Sequence, residues 1–266
     1  MIKISAFILA LNSEKYLEKI ISQLQNACEE IVVVDSGSLD STATIAKKAN
    51  VRFLFRAFDN FKNQRAYAVQ QCTYDIVLMI DSDEIPDDEL ISALNELKHS
   101  NEIRDAYRLK REWFVLGKKI HAVYPVVSPD FPVRLFDRRK SNFDNSPVVH
   151  EEPSGYKTIG VLAGTLQHYT FETKKEIAEK LERYAALSSK TLLQKKKSLG
   201  RLQQLSSSIA AFIKWYFAKG GWRDGGTGVA LGKYAFDYTF LKYEKARSVS
   251  VASLPFWRSW KGTSRQ

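Results

Sequence analysis

The apolar pattern of the first eighty residues is set by short runs with no polar break. Ile76–Ile80 (IVLMI) predicts a strand buried on both faces, as central parallel strands are. Lys3–Leu11, Glu30–Asp35 (EIVVVD) and Val51–Phe55 predict three more strands. Between them the period lengthens. Tyr16, Leu17, Ile20, Ile21 and Leu24 form one helical stripe behind a cap at Asn12 or Ser13. Ile45, Ala46 and Ala49 follow the cap-rich loop Ser36–Thr42, and Asn60–Gln71 suggests a third helix. Strands alternating with helices at this spacing predict an α/β fold with a mostly parallel, doubly wound sheet.

The rhythm then changes. Leu90, Ile91, Leu94 and Leu97 mark a helix, with Asp87 or Asp88 at its start. Ala106–Val115 alternates and meets Gly117, which predicts antiparallel strands; Val133–Phe136 and Val148–Val149 read as further short ones. Thr173-Lys174-Lys175-Glu176 has the capping-box pattern and opens a long helix. Leu202–Lys219 predicts another helix, stopped by Gly220-Gly221. A glycine-rich loop, Gly220–Gly228, then leads to an aromatic helix around Tyr234–Tyr243. The expected division is a domain over 1–171 and a helical extension over 172–266.

Charge sharpens that division. Residues 1–100 carry 10 basic and 15 acidic side chains, net −5; 101–171 are +3, and 172–266 are +12. A basic block of this kind points to an anionic partner, nucleic acid or an acidic membrane surface. No zinc spacing, RNP motif or helix-turn-helix supports nucleic acid. No apolar stretch reaches membrane-spanning length, and Ile4–Leu11 ends in Asn12-Ser13-Glu14 without a cleavage pattern. Two cysteines, Cys28 and Cys72, with no ligand spacing, suggest a reducing, cytosolic setting.

The candidate chemistry sits at the end of the fourth predicted strand, in Asp81-Ser82-Asp83-Glu84 before Pro86. If the extended backbone runs on to Asp83, Asp81 and Asp83 project to the same side. Such a pair is costly to ionise without a cation, and an oxygen-only pair suits Mg²⁺ or Mn²⁺ with phosphate oxygens as further ligands. Asp35 closes the second strand at the crevice where open α/β sheets bind ligands, so it is a candidate for a base or ribose; Asp40 reads as a helix cap. Arg65, and less so Lys62, are candidates for a pyrophosphate or for a solvated helix face. The segment Leu11-Asn12-Ser13-Glu14 lacks glycine, which disfavours a nucleotidyltransferase or a dinucleotide oxidoreductase.

ILALNSEKYL, EIVVVDSGSLDST, NQRAYA, LMIDSDEI, VRLFDRR, VVHEE and LQHYTF occur in the order seen in family 2 glycosyltransferases. The chain resembles the branch of bacterial lipooligosaccharide inner-core β-glucosyltransferases, and YFAKGGWRDGGTGVALGKYAF extends the resemblance nearly to the end. It implies a GT-A fold, a nucleotide-sugar donor (UDP-glucose), a divalent metal and an inverting displacement onto a lipooligosaccharide core sugar. It further implies a cytoplasmic protein, peripheral on the inner face of the inner membrane. By the same resemblance Leu11, Asn12, Asp35 and Arg65 line the donor. Asp81 holds ribose and, through water, the metal; Asp83 ligates the metal directly and His168 is a third ligand. Glu151 is the first candidate base and Asp130 the second. His150 orients the base or meets the acceptor, and Arg134 binds an acceptor anion or faces outward. Asp35-Ser36 departs from the two acidic residues common in the wider superfamily. The aromatic C-terminal helices are read as core, as a membrane-facing surface, or as both on different faces.

Overall fold

A computed structural model describes residues 1–143, 152–194 and 200–252. In chain order the elements run β1 (Ile4–Ala10), α1 (Glu14–Leu24), β2 (Glu30–Asp35), α2 (Thr42–Lys48), β3 (Arg52–Phe55), α3 (Phe61–Gln71), β4 (Ile76–Asp81), β5 (Glu84–Pro86) and α4 (Asp88–Lys98). Then come β6 (Ala106–Val115), β7 (Lys118–Lys119), β8 (Ala122–Val123), β9 (Val126–Val127), β10 (Val133–Asp137), β11 (Ile159–Phe171), α5 (Lys174–Gln194), α6 (Arg201–Ile213) and α7 (Gly225–Ala252). The expected strand at Val148–Val149 lies outside the described residues. Two compact units divide the chain: Met1–Trp113 with Pro129–Thr170, and Phe114–Ser128 with Phe171–Gln266. Residues 114–128, expected in the first domain, cluster with the second.

In the first unit β3, β2, β1 and β4 are parallel neighbours in that order, and β10, β6, β11 and β5 continue the sheet. The two-residue period of each strand splits its side chains between two cores. Ile4, Ala6 and Ile8 of β1 with Ile76, Leu78 and Ile80 of β4 face the α1 and α4 stripes, Leu17, Ile20, Leu24, Leu90 and Leu94. Phe7, Leu9, Val77 and Met79 face the opposite side, where α3 contributes Ala68. Alternation therefore puts Asp81 on the α3 side. Asp87 caps α4 through the Leu90 amide at 2.9 Å and also accepts from Thr165 N. Pro86, the residue that stops an extended chain in most sheets, is itself part of a strand here. It lies in β5, at the edge of the sheet order beside β11, where a missing N–H is tolerated.

Gly164 lets β11 pass this close to α4. Its φ is +87°, and a Cβ there would lie 2.1 Å from Leu90 N. Gly164→Ala is expected to destabilise by about 2–3 kcal/mol, since left-handed strain and backbone overlap add; urea unfolding measures it.

The opposite end of the sheet depends on Glu30. Its carboxylate accepts from Ser5 Oγ (2.6 Å), Thr73 N (2.6 Å), Thr73 Oγ1 (2.7 Å) and Arg52 Nη1 (2.8 Å). Burial alone would raise this carboxyl, but these donors hold it below its ordinary value of 4.5. Its contribution is therefore full above the unfolded value and is lost as pH falls through the lower folded one. Glu30→Gln is expected to flatten the fall of melting temperature with pH below about 4.5.

In the second unit α5 opens with Thr173 Oγ1 accepting from Glu176 N at 3.1 Å. A π-helical turn over Lys214–Ala218 and a 3₁₀ turn over Gly221–Asp224 separate α6 from α7. The glycine-rich segment is less of a loop than expected, because α7 begins at Gly225. A Cβ on Gly228 would lie 1.8 Å from the Gly221 carbonyl oxygen, so these glycines permit close backbone packing. Asp224, buried, accepts from His121 N at 2.9 Å and meets His121 Nδ1 at 2.7 Å, which ties the turn to the β8–β9 hairpin. Among the described residues no helix is long and apolar enough to cross a membrane.

Candidate active site

The loops that follow β1, β2 and β4 meet at the carboxyl ends of the parallel strands. Strand order reverses between β1 and β4, since β2 lies on one side of β1 and β4 on the other. Crevices at such switch points are where open α/β sheets take ligands. Asn12 has a φ of +51°, and its amide donates to Ser38 Oγ at 2.8 Å while its Oδ1 accepts from Leu39 N at 2.9 Å. Ser13 Oγ does not cap α1 as expected; it donates to Ser82 Oγ at 2.8 Å and accepts from Leu11 N at 3.1 Å. The Leu11 side chain is exposed.

Asp35 is buried, and Oδ2 accepts from Gly37 N and Ser38 N, each at 2.9 Å, while Oδ1 bonds Ser38 Oγ. That carboxylate shapes its own loop. Asp40, read as a helix cap, lies one residue before the α2 N-cap Ser41 and accepts from Thr42 N and Glu14 N at 3.0 Å each.

Chain direction changes after Asp81. Residues 82–83 turn into β5, so the extended run that would align Asp81 with Asp83 does not occur. Asp81 instead meets arginines: Arg65 Nη2 at 3.1 Å and Arg134 Nη2 at 2.8 Å. Both arginines are buried, which removes the solvated-face reading of Arg65 and the outward reading of Arg134. Alternation explains the meeting. Asp81 follows Val77 and Met79 onto the α3 side, where Arg65 lies, and Arg134 shares that side with Phe136. Burial would raise the Asp81 carboxyl, but Arg65 and then Arg134 hold it below its ordinary range. The cost of burying Asp81 is therefore met by guanidinium groups of the chain itself.

Glu84 has no solvent-exposed side-chain surface. It accepts from Arg134 Nη2, from Arg111 Nη1 at 2.8 Å and from the Asp81 amide at 3.2 Å. Burial would raise its carboxyl, yet Arg134, with His168 and Arg111, holds it well below the usual range. Arg111 in turn grips Asp130, Nε to Oδ1 at 2.9 Å and Nη2 to Oδ2 at 2.5 Å, and Trp113 Nε1 adds a bond to Oδ1 at 2.9 Å. Asp130, a candidate base, is thus held by three donors. Glu151 and His150 lie outside the described residues. Glu152 accepts from Val133 N at 3.2 Å.

His168 is buried and stacks on Trp113 with ring centroids 4.2 Å apart. Its Nε2 lies 3.4 Å from Asp83 Oδ2 and its Nδ1 3.6 Å from Glu84 Oε1. Burial opposes its charge, but Asp83 and Glu84 overcome that and push the imidazole up to about 9.

Three features bear on a ligand. The buried Nε and Nη1 of Arg65, Nε of Arg134 and Nδ1 of His168 have no hydrogen-bond partner. No three His, Cys, Asp or Glu side chains among the described residues converge as metal donors. Asp83, however, is partly exposed beside the His168 Nε2, and 3.4 Å suits two adjacent donors on one ion with bonds of about 2.1 Å. An imidazole donor favours a transition ion such as Mn²⁺ over Mg²⁺. The residues present fit a divalent ion held by Asp83 and His168, with the remaining positions left to phosphate and water. Asp81, expected to hold ribose and, through water, the metal, is engaged by Arg65 and Arg134.

Glu84, Arg111 and Trp113 are not evident from the sequence. A third acid directly after Asp81 and Asp83 was the available signal for Glu84. Alternation along β6, which puts Leu109, Arg111 and Trp113 on one face, was the signal for the other two.

Residues 5–149 match the sequence model described as "Glycosyl transferase family 2". The lipopolysaccharide core biosynthesis glycosyltransferase LpsC of Rhizobium meliloti is 30% identical over 249 residues, 91% of each chain. An uncharacterized glycosyltransferase of Rickettsia typhi is 25% identical, over 95% of this chain and 89% of that one. Among solved structures, glucosyl-3-phosphoglycerate synthase of Mycobacterium tuberculosis with Mn²⁺ and UDP overlaps 42% of this chain and 44% of that one. Its identity is 24% and its TM-score 0.35, an overlap that assigns no site residue.

Proposed function

The chain belongs to glycosyltransferase family 2, and on that premise we propose a metal-dependent inverting transfer of glucose from UDP-glucose to a lipopolysaccharide core sugar. The observation that carries the donor side is Arg65: a buried guanidinium at the switch-point crevice, anchored by Asp81 through one nitrogen, with Nε and Nη1 unpartnered. Planar N–H groups in that state suit diphosphate oxygens. Leu11, Asn12 and Asp35, on the loops after β1 and β2, form the nucleoside side. Asp81 keeps Arg65 and Arg134 aligned, and Glu84 fixes Arg134 and Arg111 from below. Mg²⁺ or Mn²⁺ held by Asp83 and His168 would act as a Lewis acid for charge on the diphosphate.

The acceptor hydroxyl attacks the anomeric carbon from the face opposite the diphosphate. The sugar–phosphate bond breaks with its electron pair on UDP, and the hydroxyl proton passes to a carboxylate. Glu151 is the proposed base. Asp130 is the second choice, because Arg111 and Trp113 occupy its oxygens. The acceptor class is supported by the name of the Rhizobium relative. With the basic C-terminal region it suggests work at the cytoplasmic face of the inner membrane, as a peripheral protein.

Nucleotide release from a panel of sugar nucleotides, with Mn²⁺ and truncated-core lipooligosaccharide, tests this. Release that rises with acceptor only for UDP-glucose supports it. Turnover of a different sugar nucleotide reassigns the donor, and no turnover of any removes the reading.

A further inference from the structure

Helix α6 carries an apolar stripe on its outward side as well as apolar residues, Ala211 and Phe212, on the side towards α7. Its side towards α7 buries Gln204 and Ser208, and Gln204 Nε2 donates to the Phe240 carbonyl at 2.9 Å. Leu202, Leu205, Ile209 and Ile213 point outward, the last three 45–50% exposed and Leu202 85%. At about 100° per residue these four fall within an arc of about 80°. Phe217 and Trp222 continue the exposed apolar surface beyond the helix, and Arg223 lies over the Trp222 ring at 5.4 Å. Polar groups that face inward are satisfied there, whereas the outward stripe leaves water only if something apolar covers it.

Charge selects the cover. Residues 201–223, which span α6 and the two turns after it, contain four lysines and arginines and no acidic side chain. A second copy of this face would bring like charge against like, which opposes self-association. An anionic bilayer offers acyl chains for the stripe and headgroups for the cations, the pattern of helices that lie in the interface.

We propose that the outward face of α6, continued by Phe217 and Trp222, docks on an anionic lipid bilayer. The inference deepens the membrane-side reading above and rests on it for which membrane is meant. It makes α6 the contact, whereas the aromatic residues Trp215, Tyr234, Tyr238 and Tyr243 are buried within the unit.

Co-sedimentation of the full chain with phosphatidylglycerol/phosphatidylcholine vesicles, against phosphatidylcholine alone, is the test. The wild type is expected to bind the anionic vesicles, and to bind them less as salt rises. Leu205→Glu/Ile209→Glu is expected to weaken binding about tenfold or more, with melting temperature and vesicle-free nucleotide release unchanged. Gln203→Glu/Ala210→Glu adds the same charge on the flank of α6 and is expected to weaken binding less. The proposal is overturned if the wild type does not bind, if it binds neutral vesicles equally, or if the stripe variant loses no more than the flank variant. A wild-type dimer that the stripe variant dissociates would also overturn it, in favour of self-association. Failure of the glycosyltransfer reading would appear as absent turnover with vesicle binding intact.

Discussion

Arg134→Met is expected to destabilise the protein by about 3–5 kcal/mol in urea unfolding, the range for breaking a buried ion pair by removing one partner. The site explains the size. Arg134 is buried and its Nη2 contacts both Asp81 (2.8 Å) and Glu84. Arg65 and Arg111 would remain to neutralise one acid each, so the loss belongs at the lower end of that range rather than beyond it. Methionine matches the arginine stem, so little of the cost is cavity. The double variant Arg134→Met/Glu84→Leu removes the stranded carboxylate and is expected to be less destabilised than the two single changes added together. A single variant within about 1 kcal/mol of wild type would mean that the cluster is not coupled as its distances imply.

Asp83→Ala is expected to do the reverse, leaving stability nearly intact and removing activity. The Asp83 side chain is partly exposed and meets His168 Nε2 at 3.4 Å, so its loss should cost under about 1 kcal/mol of stability. Nucleotide release should fall about 1000-fold or more, equivalent to about 4 kcal/mol of transition-state stabilisation. Chelation of the wild type should reproduce that loss. An Asp83→Ala enzyme that keeps its activity, or a wild type indifferent to chelators, would exclude a cation held by Asp83 and His168.

The two variants separate what neighbouring carboxylates do. Asp81 and Glu84 are charge-paired with arginines within the protein, whereas Asp83 is partly exposed beside His168. Reading Asp81 and Asp83 as one cation-gripping pair follows from treating the strand as continuing, but the turn at 82–83 divides them. Three arginines from α3, β6 and β10 then claim the inner acids.

By itself the sequence determines what depends on neighbours along the chain. The runs in β1, β2 and β4 are apolar without a break, and only strands covered on both faces accommodate that. The stripes of α1 and α4 fix which side of each helix packs, and Asp87 reaches an amide three residues on. The acidic turn after β4 is placed at the crevice by its position at a strand end. What the tertiary structure decides is every partnership between residues distant in sequence. Glu84 looks like one more acid of a helix-start segment until Arg111, 27 residues on, and Arg134, 50 residues on, converge on it. Gly164 is an unmarked glycine until β11 meets the α4 backbone. Spacing leaves α6, like the other C-terminal helices, open to being core, membrane-facing, or both on different faces. Only its packing shows Gln204 turned inward, because periodicity identifies the two faces of a helix and the neighbouring elements determine which of them is buried.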